Sequence, residues 1–212
     1  MTDQKTTLLT HRHDQPRIAI FASGAGTNAK NLIAYFKTHR SADVSLVVTN
    51  KKDAGVLKIA EDANVPSLIV EKERFFRTAG YVQQLQHLRI DFIVLAGFLW
   101  KMPEAFILAW PRRIVNIHPA LLPKYGGKGM YGGHVHSAVL DADDKTSGIT
   151  IHYVDEHYDN GDVIFTAECP VLPGDTPETL AQRIHQLEYE HYPRVVEQLV
   201  TAIRRGSNGQ PL

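Results

Sequence analysis

Asn116-Ile117-His118-Pro119 sets an amide and an imidazole two positions apart at the end of an apolar run. Alternate side chains of an extended segment share a face, and a residue before proline is biased toward extended backbone, so Asn116 and His118 should point together. A fixed hydrogen-bond donor beside a group that titrates near neutrality can stabilise an oxyanion and move a proton. The plainer alternative is a capped strand end with a satisfied histidine. A carboxylate able to partner His118 lies in Asp155-Glu156-His157-Tyr158-Asp159-Asn160-Gly161-Asp162. Asn160-Gly161 supplies positive-φ turn chemistry there, so a simple hairpin loop is the competing reading of Asp159.

A second constellation is Ser23-Gly24-Ala25-Gly26-Thr27-Asn28-Ala29, glycines at a strand-to-helix turn where bare N–H groups and the helix dipole can hold an anion. It loosely matches Gly-x-Gly-x-x-Ala, but a dinucleotide site wants an acid after the second strand, where Thr49-Asn50-Lys51 stands. A monophosphate is favoured over NAD, and tight packing is the alternative. Glu188 falls within a helical stripe of Leu180, Ile184, Leu187, His191, Val195 and Leu199. A buried acid needs a salt bridge or a ligand cation such as a substrate amine. His134-x-His136 lacks the remainder of a metal-ligand set, and Cys169 shares a strand face with Val163, Phe165 and Ala167, so no metal site is expected and the thiol reads as core.

The elements that must position these groups are legible as alternation. Near-continuous apolar runs at Ile18–Ala22, Val44–Thr49, Ser67–Val70, Phe92–Ala96 and Ile114–Ile117 have the character of parallel strands covered on both faces. Helices are expected at Asn28–Lys37, Gly55–Ala63 and Arg74–Leu88. After a Pro- and Gly-rich loop from Pro119 to Gly133, two alternating strands at Ile149–Val154 and Val163–Val171 look antiparallel. A last helix opens at Thr176-Pro177 and runs toward Arg204, with Pro193 expected to kink it. The fold class is therefore α/β: a Rossmann-like, doubly wound, mostly parallel sheet with a C-terminal antiparallel hairpin and a long final helix. A single domain is expected over residues 16–205, with a disordered tail at 1–15, where His11 and His13 lie, and a flexible one at 206–212.

Composition narrows the partner. In 212 residues, 23 Lys and Arg balance 23 Asp and Glu, which gives no support to a broad nucleic-acid-binding face. No apolar run approaches the ~18 residues of a membrane span, and the first fifteen residues lack the core of a signal peptide. With a lone cysteine, a reducing cytoplasmic setting and a small-molecule partner are expected.

Asn116-Ile117-His118-Pro119-Ala120-Leu121-Leu122-Pro123-Lys124-Tyr125, with Asp159 downstream, resembles the folate-dependent formyltransferases. The turn at Ser23–Asn28, the Ala96-Gly97-Phe98 run and the Leu-Pro-Lys-Tyr ending narrow the resemblance to those acting on glycinamide ribonucleotide in purine synthesis. It spans residues 17 to 200 and implies the formyltransferase fold. It implies Asn116, His118 and Asp159 as the catalytic trio, Gly26, Thr27 and Asn28 as the phosphate site, and Glu188 as the contact of the substrate amine. It also implies a folate site at Leu99, Trp100, Lys101 and Met102, with Asn116, Asp155, Glu156 and Asp159, and Arg77 near the folate tail. The cosubstrate would be 10-formyltetrahydrofolate and the acceptor glycinamide ribonucleotide, with no metal, in a monomer or homodimer. The amine would attack the formyl carbon directly, Asn116 and protonated His118 holding the oxyanion, with Asp159 favouring the imidazolium. Gly126–Gly133 is longer and richer in glycine than the family's usual connection and suggests a mobile lid.

Overall fold

A computed structural model describes residues 15–204, so the two expected tails, with His11 and His13, lie outside the described residues except for Gln15. Seven strands and seven helices follow in chain order: β1 Arg17–Phe21, α1 Thr27–His39, β2 Asp43–Thr49, α2 Gly55–Asp62, β3 Ser67–Ile69, α3 Lys72–Arg77, α4 Gly80–His87, β4 Phe92–Leu95, α5 Glu104–Ala109, β5 Ile114–His118, α6 Gly133–Asp141, β6 Thr146–Tyr153, β7 Val163–Pro170 and α7 Pro177–Arg204. The sheet order is β3-β2-β1-β4-β5-β6-β7. The first five strands are parallel, and β6 and β7 run antiparallel to their neighbours. The expected fold class and the antiparallel hairpin are both present.

Apolar strands covered on both faces give two cores. Leu32, Ile33 and Phe36 of α1, Val56 and Ala60 of α2, Val139 of α6 and Leu180, Ile184, Tyr192 and Val196 of α7 pack on one face. Phe75 of α3, Tyr81, Val82 and Leu85 of α4, and Phe106 of α5 pack on the other. The chain reverses its winding between β1 and β4, and their carboxyl ends open the crevice where ligands bind in such sheets.

Four elements depart from expectation. The helix expected over Arg74–Leu88 is broken, because Thr78 is extended and its Oγ1 donates to the Arg74 carbonyl and accepts from the Gly80 N–H. The short helix α5 follows Pro103, whose φ of −64° suits an N-terminus, and α6 stands directly after the glycine-rich loop. β6 also begins earlier than Ile149, at Thr146.

α7 opens as expected, with the Thr179 N–H donating to Thr176 Oγ1 at 3.3 Å. It continues through Pro193, which has no N–H to offer the Tyr189 carbonyl four residues back. Asn31 Nδ2 of α1 donates to that carbonyl instead, at 2.9 Å, tying α1 to α7 beside Glu188. The buried stripe of α7 is Leu180, Ile184, Glu188, Tyr192, Val196 and Val200, with the expected Val195 and Leu199 buried beside it, whereas Leu187 and His191 are only half-buried.

Candidate active site

The glycine turn is built by sterics. Gly26 has φ +79°, and a Cβ there would sit 2.7 Å from the Val56 Cβ, so only glycine lets α1 begin so close to α2. Among the described residues no side chain caps α1, which leaves the N–H groups of its first turn, at Thr27, Asn28 and Ala29, open to an anion. Ser23 fixes the approach: its hydroxyl donates to Asn50 Oδ1 at 2.6 Å and accepts from the Leu99 N–H at 2.9 Å. That bond brings the loop after β4 against the end of β1.

Asn116 and His118 stand at the carboxyl end of β5, opposite His152 and Thr150 of β6. Asp159 reaches both across the loop between β6 and β7. Its Oδ2 lies 3.5 Å from His118 Nδ1 and accepts from the Gly127 N–H at 2.9 Å, while its Oδ1 accepts from Asn116 Nδ2 at 3.4 Å. Asp159 itself takes the positive φ, 51°, and this corrects the expectation that Asn160-Gly161 would. Gly161 is required for a different reason, since a Cβ would lie 2.0 Å from the Tyr153 carbonyl. Asp155 staples the loop, accepting from the His157 N–H at 2.7 Å and from Asn160 Nδ2 at 2.9 Å.

Hydrogen bonding assigns the imidazole protons. His118 Nε2 is 2.7 Å from the Tyr125 carbonyl, which can only accept, so Nε2 carries hydrogen and Nδ1 of the neutral ring faces Asp159 bare. Burial pushes the His118 pKa down more than the Asp159 charge and the Tyr125 carbonyl pull it up. Burial thus disfavours the imidazolium that the Asp159 charge favours. Burial also pushes the Asp159 carboxyl up, but His152, the His118 charge and the Gly127 N–H together outweigh it and leave the group below the usual carboxylate range.

His152, which sequence reasoning missed, is 2 % exposed. Its Nδ1 lies 2.8 Å from the Tyr153 carbonyl, and its Nε2 lies 3.2 Å from Asn116 Nδ2 and 3.6 Å from Asp159 Oδ1, so the ring orients both side chains. Alternation along β6 puts His152 on the face of Thr150, and its pairing with Asn116 is visible only once the antiparallel register is known. Thr150 Oγ1 donates to the Ala120 carbonyl and accepts from the Leu122 N–H, holding the turn after His118.

Glu188 is 4 % exposed. Its Oε2 accepts from Asn28 Nδ2 at 2.9 Å and from His185 Nδ1 at 2.8 Å, so the buried acid has an ion-pair partner and touches the glycine turn. Of the expected folate contacts, Leu99 and Lys101 are exposed, Trp100 packs 5.4 Å from Phe76, and the Met102 side chain is buried in the core. Arg77 is not brought to the cluster; it is solvent-facing and pairs with Glu73 at 3.5 Å. Glu156 is exposed and Asp155 half-buried. His134 is exposed and His136 buried, and no group of three possible metal ligands occurs among the described residues. Burial raises the Cys169 thiol pKa, in keeping with a core position. No described helix is long and apolar enough to cross a membrane.

Residues 16–196 match the formyl transferase family. A chloroplastic phosphoribosylglycinamide formyltransferase from Arabidopsis thaliana is 39% identical over 193 residues, 88% of this chain and 66% of that protein. The chain thus spans just under two thirds of the plant relative. The phosphoribosylglycinamide formyltransferase of Bacillus subtilis is 34% identical over 195 residues, 90% of this chain and 97% of its own length. A crystal structure of the Bacillus halodurans phosphoribosylglycinamide formyltransferase, 34% identical, superposes with a TM-score of 0.80 over 88% of this chain and 96% of that one.

Proposed function

The chain belongs to the formyl transferase family, among the phosphoribosylglycinamide formyltransferases, and from that premise we propose that it transfers the formyl group of 10-formyltetrahydrofolate to the amine of glycinamide ribonucleotide. The observation carrying this reading is the convergence of Asn116, His118 and Asp159 at the carboxyl edge of the sheet. In the proposed reaction the N–H groups of Gly26, Thr27 and Asn28 hold the substrate phosphate. Binding energy gained there, away from the reacting carbon, positions the amine. The loops at Leu99–Met102 and Asp155–Asp159 flank the crevice from two sides and would take the folate, largely through backbone, with Arg77 left to a flexible folate tail. A reducing cytoplasmic setting suits the unpaired Cys169, although the plant relative is named chloroplastic.

The amine attacks the formyl carbon and negative charge collects on the formyl oxygen. Donors already aimed at that oxygen are typically worth ~3 kcal/mol each. The Asn116 amide provides one, its hydrogens now directed at His152 and Asp159. His118 provides the other when Nε2–H is ceded by the Tyr125 carbonyl. Its Nδ1 can take up the proton that the attacking amine loses, because Asp159 Oδ2 stands ready to pair with the resulting imidazolium. The proton then passes to the departing N10.

Glu188 has two readings. The resemblance gives it the substrate amine. Its hydrogen bond to Asn28 instead places it one residue contact from the phosphate site, which favours hydroxyl groups near that phosphate, since the amine must reach Asn116 and His118. A spectrophotometric assay with 10-formyltetrahydrofolate, with and without glycinamide ribonucleotide, tests the proposal. Acceptor-dependent loss of the formyl group is expected. Loss without acceptor would indicate a hydrolase, and no loss would reject formyl transfer.

A further inference from the structure

Glu188 Oε2 accepts two hydrogen bonds, one from Asn28 Nδ2 beside the phosphate turn and one from His185 Nδ1. Asn28 Oδ1, on the amide that donates to Glu188, is buried and unpartnered among the described residues. A buried acceptor without a donor, next to the phosphate turn, is a group that a ligand can satisfy. We propose that His185 is a positioning residue, whose imidazolium locks the Glu188 carboxylate onto Asn28 and neutralises it, presenting Oε1 as a fixed acceptor for substrate. The inference rests on reading Glu188 as a substrate contact.

Four features carry it. His185 lies three positions before Glu188, so both occupy one face of α7, and Nδ1 reaches Oε2 at 2.8 Å. The ring is stacked on Tyr189, with centroids 5.9 Å apart and planes 9° apart, which limits its rotation. Tyr189 is in turn fixed through its carbonyl by Asn31 of α1. The His185 side chain is 45% exposed against 6% for Glu188, so the imidazole closes the solvent side of a buried carboxylate.

The charged and titratable neighbours decide where the proton sits. Glu188 and Tyr189 come from α7, His136 from α6, and His118 on β5 and Tyr192 on α7 feel the Glu188 charge. The hydrogen bond to Glu188 raises the His185 pKa, whereas burial and the His185 charge lower that of His136. Protonation is thus favoured on His185 over His136, and a charged His185 holds Oε2 by a charge-assisted bond that weakens when the proton is lost.

The test combines kinetics with imidazole titration. In the wild type, KM for glycinamide ribonucleotide should rise as pH climbs through the elevated His185 pKa. His185→Gln and His185→Ala should each raise KM about 3- to 10-fold near neutrality, the difference between charge-assisted and neutral bonding, and flatten that rise, with kcat within about twofold. NMR should show the His185 ring titrating above free histidine, and Glu188→Gln should bring it back. Unchanged KM and an unchanged pH profile in both His185 variants would overturn the inference, as would a matching fall in kcat. If the wild type shows no acceptor-dependent transfer, the enzymatic reading is what fails; the NMR titration then separately decides whether His185 and Glu188 are paired.

Discussion

Burial drives the His118 imidazole toward its neutral form, while Asp159, 3.5 Å from Nδ1, favours its charged one. That opposition suits a group that must gain and release one proton per turnover, because neither state is deeply trapped. His118→Asn and Asp159→Asn should each lower kcat about 10²- to 10⁴-fold, the usual worth of positioned proton transfer, with little change in equilibrium binding of glycinamide ribonucleotide. Unaltered turnover in both would remove these residues from the chemistry. With the His118 pKa below its ordinary value, kcat/KM should fall only as pH drops beneath about 6.5. Asn116 and His118 were readable because period-two alternation and Pro119 act over a few residues, and Asp159 because few residue types can partner an imidazole. His152, the Gly127 N–H and the Tyr125 carbonyl were not: the first depends on strand register, and the others are backbone groups that no side-chain pattern reports. His185 was hidden because its meaning depends on the burial of Glu188.

At the scale of elements, α7 is placed by a defect in its own hydrogen bonding. Pro193 leaves the Tyr189 carbonyl without its helical donor, and Asn31 of α1 fills the vacancy at 2.9 Å. Two helices bearing Asn28 and Glu188 are thereby held in register near the site. Asn31→Ala should destabilise the protein by about 0.5–1.5 kcal/mol, the net worth of one hydrogen bond, because the carbonyl it leaves is open to water. In a Pro193→Ala background the restored N–H can serve that carbonyl, so the same Asn31 substitution should cost clearly less. Urea denaturation of the four proteins of this cycle gives the coupling, and strictly additive effects would refute the account. Proline at 193 was plain in the sequence and suggested a kink, but its partner Asn31 stands 162 positions away and only tertiary packing joins them. Long amphipathic or continuously apolar segments were likewise legible, whereas α5 and α6 were too short to show a period, and the break at Thr78 turned on one hydroxyl bonding its own backbone.

Across the whole molecule, packing helices on both faces of the sheet buries histidines that no aqueous charge can reach. His118 and His136 are each 3 % exposed, and burial depresses both pKa values. A histidine whose pKa is lower folded than unfolded binds its proton more readily in the unfolded chain. Stability is therefore lost as pH falls from about 6.5 toward the folded values, with a limiting slope of about 1.4 kcal/mol per pH unit for each such proton. Asp159, held below the carboxylate range, adds a loss in the same direction at lower pH. His185 works the other way, its raised pKa favouring the folded state at low pH, but it is half-exposed and screened by solvent, so it offsets only part of the effect. Urea midpoints measured between pH 7 and 5 should decline. His136 offers the cleaner test because its Nδ1 is buried without a partner, so the native fold gains no hydrogen bond from that atom. His136→Leu should lessen the decline while changing stability at pH 7 by less than the about 2–5 kcal/mol typical of a core truncation. An identical acid decline in the variant would show that the proton taken up on unfolding belongs to other groups.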